Sequence, residues 1–363
     1  MGSVIGRVMR RAEGQMRTVE AKVAMPKKVA FLSRHGWPWM RQTANGSGHH
    51  QGLEIRLVAA EDDDWLVVFD DIAQPVPTRV PRSRRILFVT EPPGQKRYRP
   101  RAVNQFGVLV SPYRIDGFQG DWIASQPAIN WFYGVSFENG APISRLGLEH
   151  LRAMQVPEPK ASRISVVCST KRRLPGHRAR LELLDHLVQA FPGQIDLFGR
   201  GFKEIGDKAD VIGPYRYHLV LENSACPHFW TEKLADAYLG YCLPIFSGCA
   251  NVEDYFPPDS LVRLPDIADH SGAAAIVGNL LQQDPWAERL ESICTARNTL
   301  IEQHNIFSLI ARLTETTGAD QRALPAPEVI YPGKDCTTIR SIARTGLRAA
   351  ERWSGHGREN SKG

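Results

Sequence analysis

The sequence predicts an α/β protein made of two halves that face each other across a cleft. Two observations carry this prediction. Apolar strands and helices alternate from about residue 163 to residue 250, and such alternation is typical of a parallel sheet covered by helices. Residues 25–158 instead contain mostly short strands and turns, and they end in a proline-containing linker, MQVPEPKASR. A chain of 363 residues is long enough for two domains of ordinary size.

The predicted strands of the N-terminal half are short apolar runs bounded by turn residues. The first covers residues 28–33, and two more lie within residues 52–72 around an acidic turn. The prolines of residues 75–81 predict a linker or a sheet edge. Residues 84–91 predict a strand that ends at a glutamate, and residues 106–111 predict another strand.

The C-terminal half begins with a predicted strand at residues 163–169 and a helix at residues 178–191. The apolar residues of this helix recur at helical spacing. Residues 194–202 predict the next strand and a glycine turn, and residues 285–316 are predicted to be helical. This half therefore contains a β-α-β series.

The most informative segment is residues 215–260. A buried apolar strand, His218–Leu221, is followed directly by the polar loop Glu222-Asn223-Ser224. Thr231 is a good N-cap for the helix that follows, and Pro244–Phe246 predict the next strand. This unit places a helix N-terminus at the carboxyl edge of a parallel sheet, where open α/β sheets bind nucleotides and phosphates.

The charge of the chain is uneven. The formal net charge is +6, but residues 1–30 hold seven Lys or Arg against two Glu, and residues 334–363 hold seven against three acids. The body between them is therefore net negative, and no nucleic-acid-binding face is implied. Arginines recur every four residues from Arg340 to Arg352. They predict a terminal helix that is either solvated or in contact with an anionic membrane surface.

Three features of the sequence concern its cellular compartment. No apolar run approaches the ~20 residues needed to span a bilayer. The N-terminus lacks the apolar core of a secretory signal, and the six cysteines form no CxxC pair. We therefore expect reduced thiols and a cytoplasmic protein, with peripheral attachment at the inner face of the membrane as the alternative.

Residues 215–260 resemble the C-terminal domain of glycosyltransferase family 10, the fucosyltransferases, and suggest a bacterial member. The matching elements occur in the family's order: Tyr215-Arg216-Tyr217, Glu222-Asn223-Ser224, Phe229-Trp230-Thr231-Glu232-Lys233, Pro244-Ile245, Gly248 and Phe256-Pro257-Pro258-Asp259-Ser260. The resemblance implies a GT-B fold of two Rossmann-like domains facing a cleft. It makes residues 25–158 the acceptor-side domain and residues 159–320 the nucleotide-sugar-binding domain. Residues 1–24 and 321–363 would be basic extensions.

The resemblance also implies a site for the donor diphosphate. Arg178 matches the family's pyrophosphate-binding arginine, with Arg180 as the alternative, and Lys233 is expected across the same cleft. Arginine can form a bidentate fork to a phosphate, and lysine adds a point charge. Without the resemblance, Arg178 is more simply a surface residue of a helix.

Four further residues are expected beside the nucleotide or the sugar. The family places Asn223, Glu232 and Glu222 there, and Phe229 stands where the family has a tyrosine, so the hydroxyl of that residue is lost. The simpler reading of the loop at Asn223 is an Asx turn.

Glu91 is the predicted general base. The run Arg85–Glu91 resembles the strand end that carries the family's acceptor-facing glutamate, less one glycine. Inverting transfer needs a carboxylate near the acceptor hydroxyl. The alternative is that Glu91 only caps a turn before Pro92-Pro93.

The resemblance implies an inverting enzyme that transfers L-fucose from GDP-fucose to a hydroxyl of a glycan acceptor, in α-1,3 or α-1,4 linkage, in bacterial surface polysaccharide synthesis. No metal or other cofactor is predicted, because the acidic run Glu61–Trp65 lies in the wrong half for a donor site and His49-His50 lack a third ligand. Two alternatives stay open: a related enzyme with another nucleotide sugar, and a non-catalytic glycan- or nucleotide-binding protein.

Overall fold

The computed structural model describes residues 25–92, 94–172, 175–316 and 326–334. The predicted basic extension at residues 1–24, Pro93 and the arginine repeat of residues 340–352 lie outside this range. Each half of the described chain is built on a mainly parallel sheet, as the sequence predicts.

The N-terminal half contains the first eight strands and one short helix: β1 (Lys27–Ser33), β2 (His49–His50), β3 (Leu53–Arg56), β4 (Trp65–Phe69), β5 (Val76–Thr78), β6 (Arg85–Phe88), α1 (Pro100–Val103), β7 (Val108–Ser111) and β8 (Asp121–Ala124). Seven of these strands form one sheet in the order β2-β3-β1-β4-β6-β7-β8. All neighbours are parallel except β2 and β3. Short 3₁₀ helices follow β1 and precede β6: Trp39–Gln42, Ala44–Gly46 and Arg82–Arg84.

The central strands of this sheet are buried on both faces. Val29 and Phe31 of β1 belong to one apolar cluster, whereas Ala30 and Leu32 belong to the cluster on the opposite face. This explains the unbroken apolar runs of β1, β4 and β6, because a parallel sheet needs apolar residues on both sides.

The predicted acidic turn is not a hairpin. It joins β3 to β4, which both pair in parallel with β1 and therefore do not pair with each other. Asp62 in this segment accepts a hydrogen bond from Arg56 (2.7 Å) and pairs with Lys28. The acidic stretch thus forms ion pairs at the surface of the N-terminal sheet.

The segment between the halves forms a hairpin of β9 (Val135–Glu138) and β10 (Ala141–Ser144), followed by α2 (Leu148–Ala153). The buried guanidinium of Arg41 holds this segment, since it donates to the carbonyls of Trp131 (2.8 Å), Tyr133 (2.7 Å) and Leu146 (2.6 and 2.9 Å).

The C-terminal half follows the predicted β-α-β series: β11 (Ala161–Val167), α3 (Pro175–Ala190), β12 (Ile195–Phe198), α4 (Ala209–Ile212), β13 (Tyr215–Leu221), α5 (Glu232–Leu239), β14 (Leu243–Ser247), β15 (Val262–Arg263), α6 (His270–Gln283) and α7 (Leu290–Gln303). Its five strands are all parallel, in the order β12-β11-β13-β14-β15. Helices α3 and α6 cover one face, and α5 and α7 cover most of the other. Two 3₁₀ helices lie between β14 and β15: Val252–Asp254 and Pro258–Ser260.

The end of the described chain returns to the N-terminal half. Helix α8 (Ile306–Thr316) packs on the N-terminal sheet through Phe307 and Ile310, and β16 (Glu328–Ile330) pairs antiparallel with β5. The sequence analysis places residues up to 320 in the C-terminal domain and predicts one helical stretch over residues 285–316. The stretch is instead broken at Asn305, whose side chain accepts from the amide of Phe307 (2.9 Å) and donates to the carbonyl of Gln42 (2.8 Å).

No helix within the described ranges combines the length and the apolar character needed to cross a membrane.

Candidate active site

The carboxyl edge of β13 carries a buried carboxylate that fixes the start of α5. Glu222 directly follows the strand and is 4% exposed. Its Oε1 accepts hydrogen bonds from the amide (2.8 Å) and the hydroxyl (2.7 Å) of Thr231. The Thr231 side chain caps α5, as predicted, by accepting from the amide of Lys233. Glu222 is therefore used within the protein, where it holds the helix N-terminus in place.

Lys233 lies in the first turn of α5 among oxygen atoms. Its Nζ is 3.0 Å from Glu222 Oε2, 3.0 Å from Thr231 Oγ1 and 3.4 Å from Glu232 Oε1. Burial alone would lower the pKa of Lys233, but the carboxylates of Glu222 and Glu232 raise the pKa above its ordinary value. Lys233 is therefore a fixed ammonium group at the carboxyl edge of the sheet.

Glu232 and Asn223 lie at the same edge. Burial alone would raise the pKa of Glu232, but the cations Lys233 and Lys208 lower that pKa, so Glu232 is ionised. Asn223 is half-buried, and its Oδ1 accepts from a guanidinium nitrogen of Arg180 (3.1 Å). The structure thus brings Glu222, Asn223, Glu232 and Lys233 together, as the sequence analysis expects.

The two candidate arginines of α3 differ sharply. Arg178 is exposed, and its guanidinium donates to the carbonyl of Arg172 (3.3 Å). Arg180 is 7% exposed and donates to Asn223 and to the carbonyl of Ser169 (3.3 Å). Its Nε is buried without a hydrogen-bond partner, and Arg180 pairs with no carboxylate of the described chain. The structure therefore brings Arg180, and not Arg178, to the carboxyl edge of the sheet beside Asn223.

A small cavity joins the two cations. Arg180 and Lys233 both line it, together with Cys168, Lys208 and Asp236. A buried guanidinium without a carboxylate is costly in a protein interior. An arginine in that state beside a lysine and a helix N-terminus is suited to an anion such as a diphosphate.

An open groove of about 620 Å³ runs along the same edge. It is lined by the loop after β13 (residues 222–225), the end of β14 and the segment after β15. Two glycines allow this close packing. A Cβ at Gly248 would lie 2.8 Å from Glu222 Cβ, and a Cβ at Gly176 would lie 2.8 Å from the carbonyl oxygen of Asn223. Arg263 on the groove wall is held by Glu253 (2.7 Å).

Phe229 is not brought to this groove. Its side chain is 3% exposed, and it is not among the residues that line the groove. The neighbouring Trp230 also packs inward, with its ring centroid 5.1 Å from that of Phe256. Both rings therefore pack into the protein interior under the loop that joins β13 to α5.

Glu91 faces the C-terminal half from the end of β6. The residue is half-buried, and its carboxylate accepts no hydrogen bond from the residues described. Its backbone carbonyl accepts from the hydroxyl of Tyr113 (2.8 Å). Burial raises the pKa of the Glu91 carboxyl, and repulsion from Asp70 and Glu232 raises it further. Lys233 lowers the pKa of Glu91, which places Glu91 within electrostatic reach of the first turn of α5.

A second carboxylate beside Glu91 has the opposite character. Asp70 ends β4 in a left-handed conformation (φ 66°) and is 8% exposed. It accepts hydrogen bonds from Lys96 (2.7 Å), Tyr98 (2.5 Å) and His35 (3.3 Å). Burial alone would raise the pKa of Asp70, but these three donors lower it. Three hydrogen-bond donors thus hold Asp70 in its ionised form, whereas the Glu91 carboxyl is free to exchange a proton.

The two halves meet at a cleft between these groups. A cavity of about 210 Å³ is lined on one side by Pro92, Gly94 and Gln95, which follow Glu91, and on the other side by the start of α3 and the loop at Asn223. The residues that follow Glu91 and the loop at Asn223 therefore border one space. Sequence analysis missed Lys96 and Tyr98, because they meet Asp70 through contacts 26 and 28 residues apart in the chain.

Within the described ranges, no group of three or more His, Cys, Asp or Glu side chains is arranged to hold a metal ion. The acidic run at residues 61–65 and the histidines at residues 49–50 form no such group.

The C-terminal sheet and its donor edge coincide with a known family. Residues 159–289 match the model of the glycosyltransferase family 10 (fucosyltransferase) C-terminal domain. The chain carries a family 10 glycosyltransferase domain. The match covers β11 to α6 and ends directly before α7, and so includes Arg180, Asn223, Glu232 and Lys233. The two mainly parallel sheets, one in each half, confirm the predicted GT-B arrangement.

Two curated relatives extend the likeness. The chain is 26% identical over 217 residues to the human 4-galactosyl-N-acetylglucosaminide 3-alpha-L-fucosyltransferase FUT5, which covers 56% of this chain and 50% of the relative. It is 31% identical over 110 residues to FUT6 of Pongo pygmaeus, covering 27% of this chain and 31% of the relative. The chain thus spans half the length of the human relative and about a third of the length of the other.

Among solved structures, an alpha1,3-fucosyltransferase with GDP-fucose is similar at a TM-score of 0.41 and 13% identity, over 76% of this chain and 90% of that one. The same comparison with an alpha1,3-fucosyltransferase with GDP gives a TM-score of 0.44 and 14% identity, over 80% and 92% of the two chains.

Proposed function

We propose that this glycosyltransferase moves L-fucose from GDP-fucose to a hydroxyl of a glycan acceptor, with inversion at the anomeric carbon, in α-1,3 or α-1,4 linkage. One observation carries the proposal. Arg180 is buried with no carboxylate partner in the described chain, and it lies beside Lys233 across the cleft from the unpaired carboxylate of Glu91. This is the charge distribution that an anionic leaving group and an acceptor hydroxyl require.

The donor diphosphate would bind at the cationic edge. The guanidinium of Arg180 would donate to phosphate oxygens, Lys233 would add a fixed positive charge, and the N-terminus of α5 would point amides at the same anion. These groups would stabilise the charge that develops on departing GDP. Binding therefore needs no divalent ion in this proposal. The nucleoside would occupy the groove beside Asn223 and Gly248.

Glu91 would act as the general base. An inverting transfer requires attack by the acceptor oxygen on the face of the sugar opposite to the diphosphate, with loss of the hydroxyl proton. Glu91 lies on the acceptor side of the cleft, accepts no hydrogen bond within the described chain, and has a raised pKa. Asp70 is already bound by three donors and suits this role less well.

A transfer assay tests the proposal. The chain is incubated in EDTA with GDP-fucose, GDP-mannose, UDP-galactose or UDP-N-acetylglucosamine, and with acceptors that end in N-acetylglucosamine or glucose, as in bacterial surface glycans. We expect transfer from GDP-fucose alone, with an α-linked product by NMR. Transfer from a UDP-sugar without transfer from GDP-fucose would overturn the choice of donor, and a β-linked product would overturn inversion.

One observation favours a second candidate, an enzyme of the same fold with another guanosine-diphosphate sugar. The ring of Phe229, at the position of the family's tyrosine, is buried and has no hydroxyl. The sugar contact at this position therefore differs from that of the family. Transfer from GDP-mannose at a higher kcat/KM than from GDP-fucose would select this candidate.

A further inference from the structure

A separate cavity lies in the N-terminal half, at the carboxyl ends of β4 and β6. It has a volume of about 290 Å³, near the lower end of the roughly 300–1,000 Å³ found for ligand pockets. Its floor is the apolar face of the sheet, including Val68 and Leu87, and Phe106 adds an aromatic ring. This cavity belongs to the acceptor-side half and is separate from the donor groove.

The wall of this cavity is strongly basic. Five of its lining residues are cations: Arg34, Lys96, Arg97, Arg99 and Lys334. Four of them, all except Lys96, are exposed and make no hydrogen bond or ion pair through their side chains with the described part of the chain. These four cations are therefore available to a ligand.

The two acids on the same wall do not neutralise this charge. Asp70 already accepts from Lys96 and Tyr98, and Asp71 accepts from the amides of Ile72 (2.9 Å) and Gly333 (2.9 Å). Because five cations face only these two carboxylates, the cavity keeps a positive excess. Since the body of the chain is net negative, this basic site stands out against its surroundings.

The cavity also has a wall that is brought in from far along the chain. Tyr331 exchanges two hydrogen bonds with the side chain of Gln105, at 2.7 and 3.0 Å, and β16 secures the same segment against β5. The end of the described chain, with Lys334, is thereby held at the cavity mouth.

The position of this cavity connects it with the acceptor. Tyr98 lines it, and the Tyr98 hydroxyl accepts from the amides of Thr90 (3.3 Å) and Glu91 (3.5 Å). Lys96 lines it as well and lies near enough to lower the pKa of Glu91. Tyr98 and Lys96 therefore connect the cavity with the proposed base, on the acceptor side of the cleft.

We propose that this basic cavity binds an anionic group of the acceptor glycan, a phosphate or a sugar carboxylate, next to the hydroxyl that receives the donor sugar. The inference deepens the proposed function and rests on it. The apolar floor excludes water from the bound group, which strengthens its attraction to the cations. The acceptor is thus an acidic glycan and not a neutral one.

Binding to GDP-saturated protein tests this inference, because GDP occupies the donor edge and leaves only the acceptor side open to a second anion. Calorimetry compares three probes: a disaccharide with a glucuronic acid, N-acetylglucosamine 1-phosphate and neutral N-acetyllactosamine. We expect at least one acidic probe to bind about tenfold or more tightly than the neutral one, as hydrogen bonds to charged groups are worth on the order of tenfold to a hundredfold. The tighter of the acidic probes identifies the group.

Two variants supply a matched comparison. Arg97→Gln/Arg99→Gln removes cavity cations, whereas Arg101→Gln removes an exposed cation of α1 that does not line the cavity. We expect the preference for acidic probes to disappear in the double variant and to persist in Arg101→Gln. Equal affinity for acidic and neutral probes would overturn the inference, and so would an equal loss in both variants.

The same titrations separate this inference from the proposed donor. Tight GDP binding without a preference for acidic probes defeats the acceptor inference alone. A preference that depends on Arg97 and Arg99, in a protein that does not bind GDP, defeats the donor assignment alone. Displacement of the acidic probe by GDP would place the probe at the donor edge and would also overturn the inference.

Discussion

The two arginines of α3 provide the sharpest test of the donor site. Arg178 and Arg180 lie two residues apart on one helix, but only Arg180 is buried and reaches Asn223. In Arg180→Met the buried positive charge is lost, while an unbranched apolar side chain is kept. The dissociation constant for GDP should then rise about tenfold to a hundredfold, because a hydrogen bond to a charged group contributes roughly 1.5–3 kcal/mol.

Arg178→Met is the matched control. Its guanidinium is exposed and bonds only the carbonyl of Arg172, and exposed charge interactions contribute about 0–1 kcal/mol. The GDP affinity should therefore change by less than about fivefold. Isothermal titration calorimetry with GDP in EDTA measures both values under the same conditions.

Stability has to be separated from binding in this experiment. Arg180→Met also leaves Asn223 Oδ1 and the carbonyl of Ser169 without their donor. Arg180→Lys keeps the charge, and we expect it to recover part of the GDP affinity at a similar melting temperature. An equal effect of the two methionine variants, or a larger effect at Arg178, would refute the assignment of the diphosphate to Arg180.

Four further predictions concern the two sides of the cleft. Lys233→Met should weaken GDP binding by about tenfold or more. It should also lower the melting temperature, because it leaves Glu222 as an unpaired buried anion. The double variant with Glu222→Gln should recover the melting temperature but not the GDP affinity, and recovered affinity would remove Lys233 from the donor site. Glu91→Gln should lower kcat by roughly 10²–10⁴-fold with little change in GDP affinity, and near-normal transfer would move attention to Asp70 or Asp71. Glu91 has a raised pKa in the folded protein, so its ionisation costs stability as pH rises through that pKa; Glu91→Gln should therefore melt no lower than the parent at pH 7, and a clear drop in melting temperature would make Glu91 structural. In the parent, kcat/KM should rise with pH through a midpoint above the ordinary glutamate value, and a flat profile from pH 4.5 to 7 would contradict a base at this position.

The local units of the fold could be predicted because their signals are local. The strand at residues 215–221, the cap at Thr231 and the helix that follows are each specified by neighbouring residues. The strand end before Glu91 is specified in the same way. These signals were sufficient for the parallel sheet of the C-terminal half, whereas the Rossmann-like sheet of the N-terminal half and the residues expected around Lys233 came from the family resemblance.

Other features depended on contacts that sequence spacing does not encode. Whether Arg178 or Arg180 points at the donor edge depends on the rotation of α3 over the sheet, which is set by packing of its apolar side on α6 and the strands. The return of α8 to the N-terminal sheet depends on the break at Asn305 and on space for Phe307 in a distant core. The basic cavity combines residues near 34, 97 and 334, which meet only in three dimensions.

The return of the chain has a mechanical consequence. The C-terminal sheet is inserted between two parts of the N-terminal half, so the polypeptide crosses between the halves once near residues 130–160 and again at Asn305. The first crossing is clamped by Asp236 of α5, which accepts from the amides of Phe132 (2.8 Å) and Tyr133 (2.9 Å). Because the chain connects the two halves at two places, a hinge motion of the halves is restricted to rotation about the line through both connections. The helix that carries Lys233 is held beside the first of these connections.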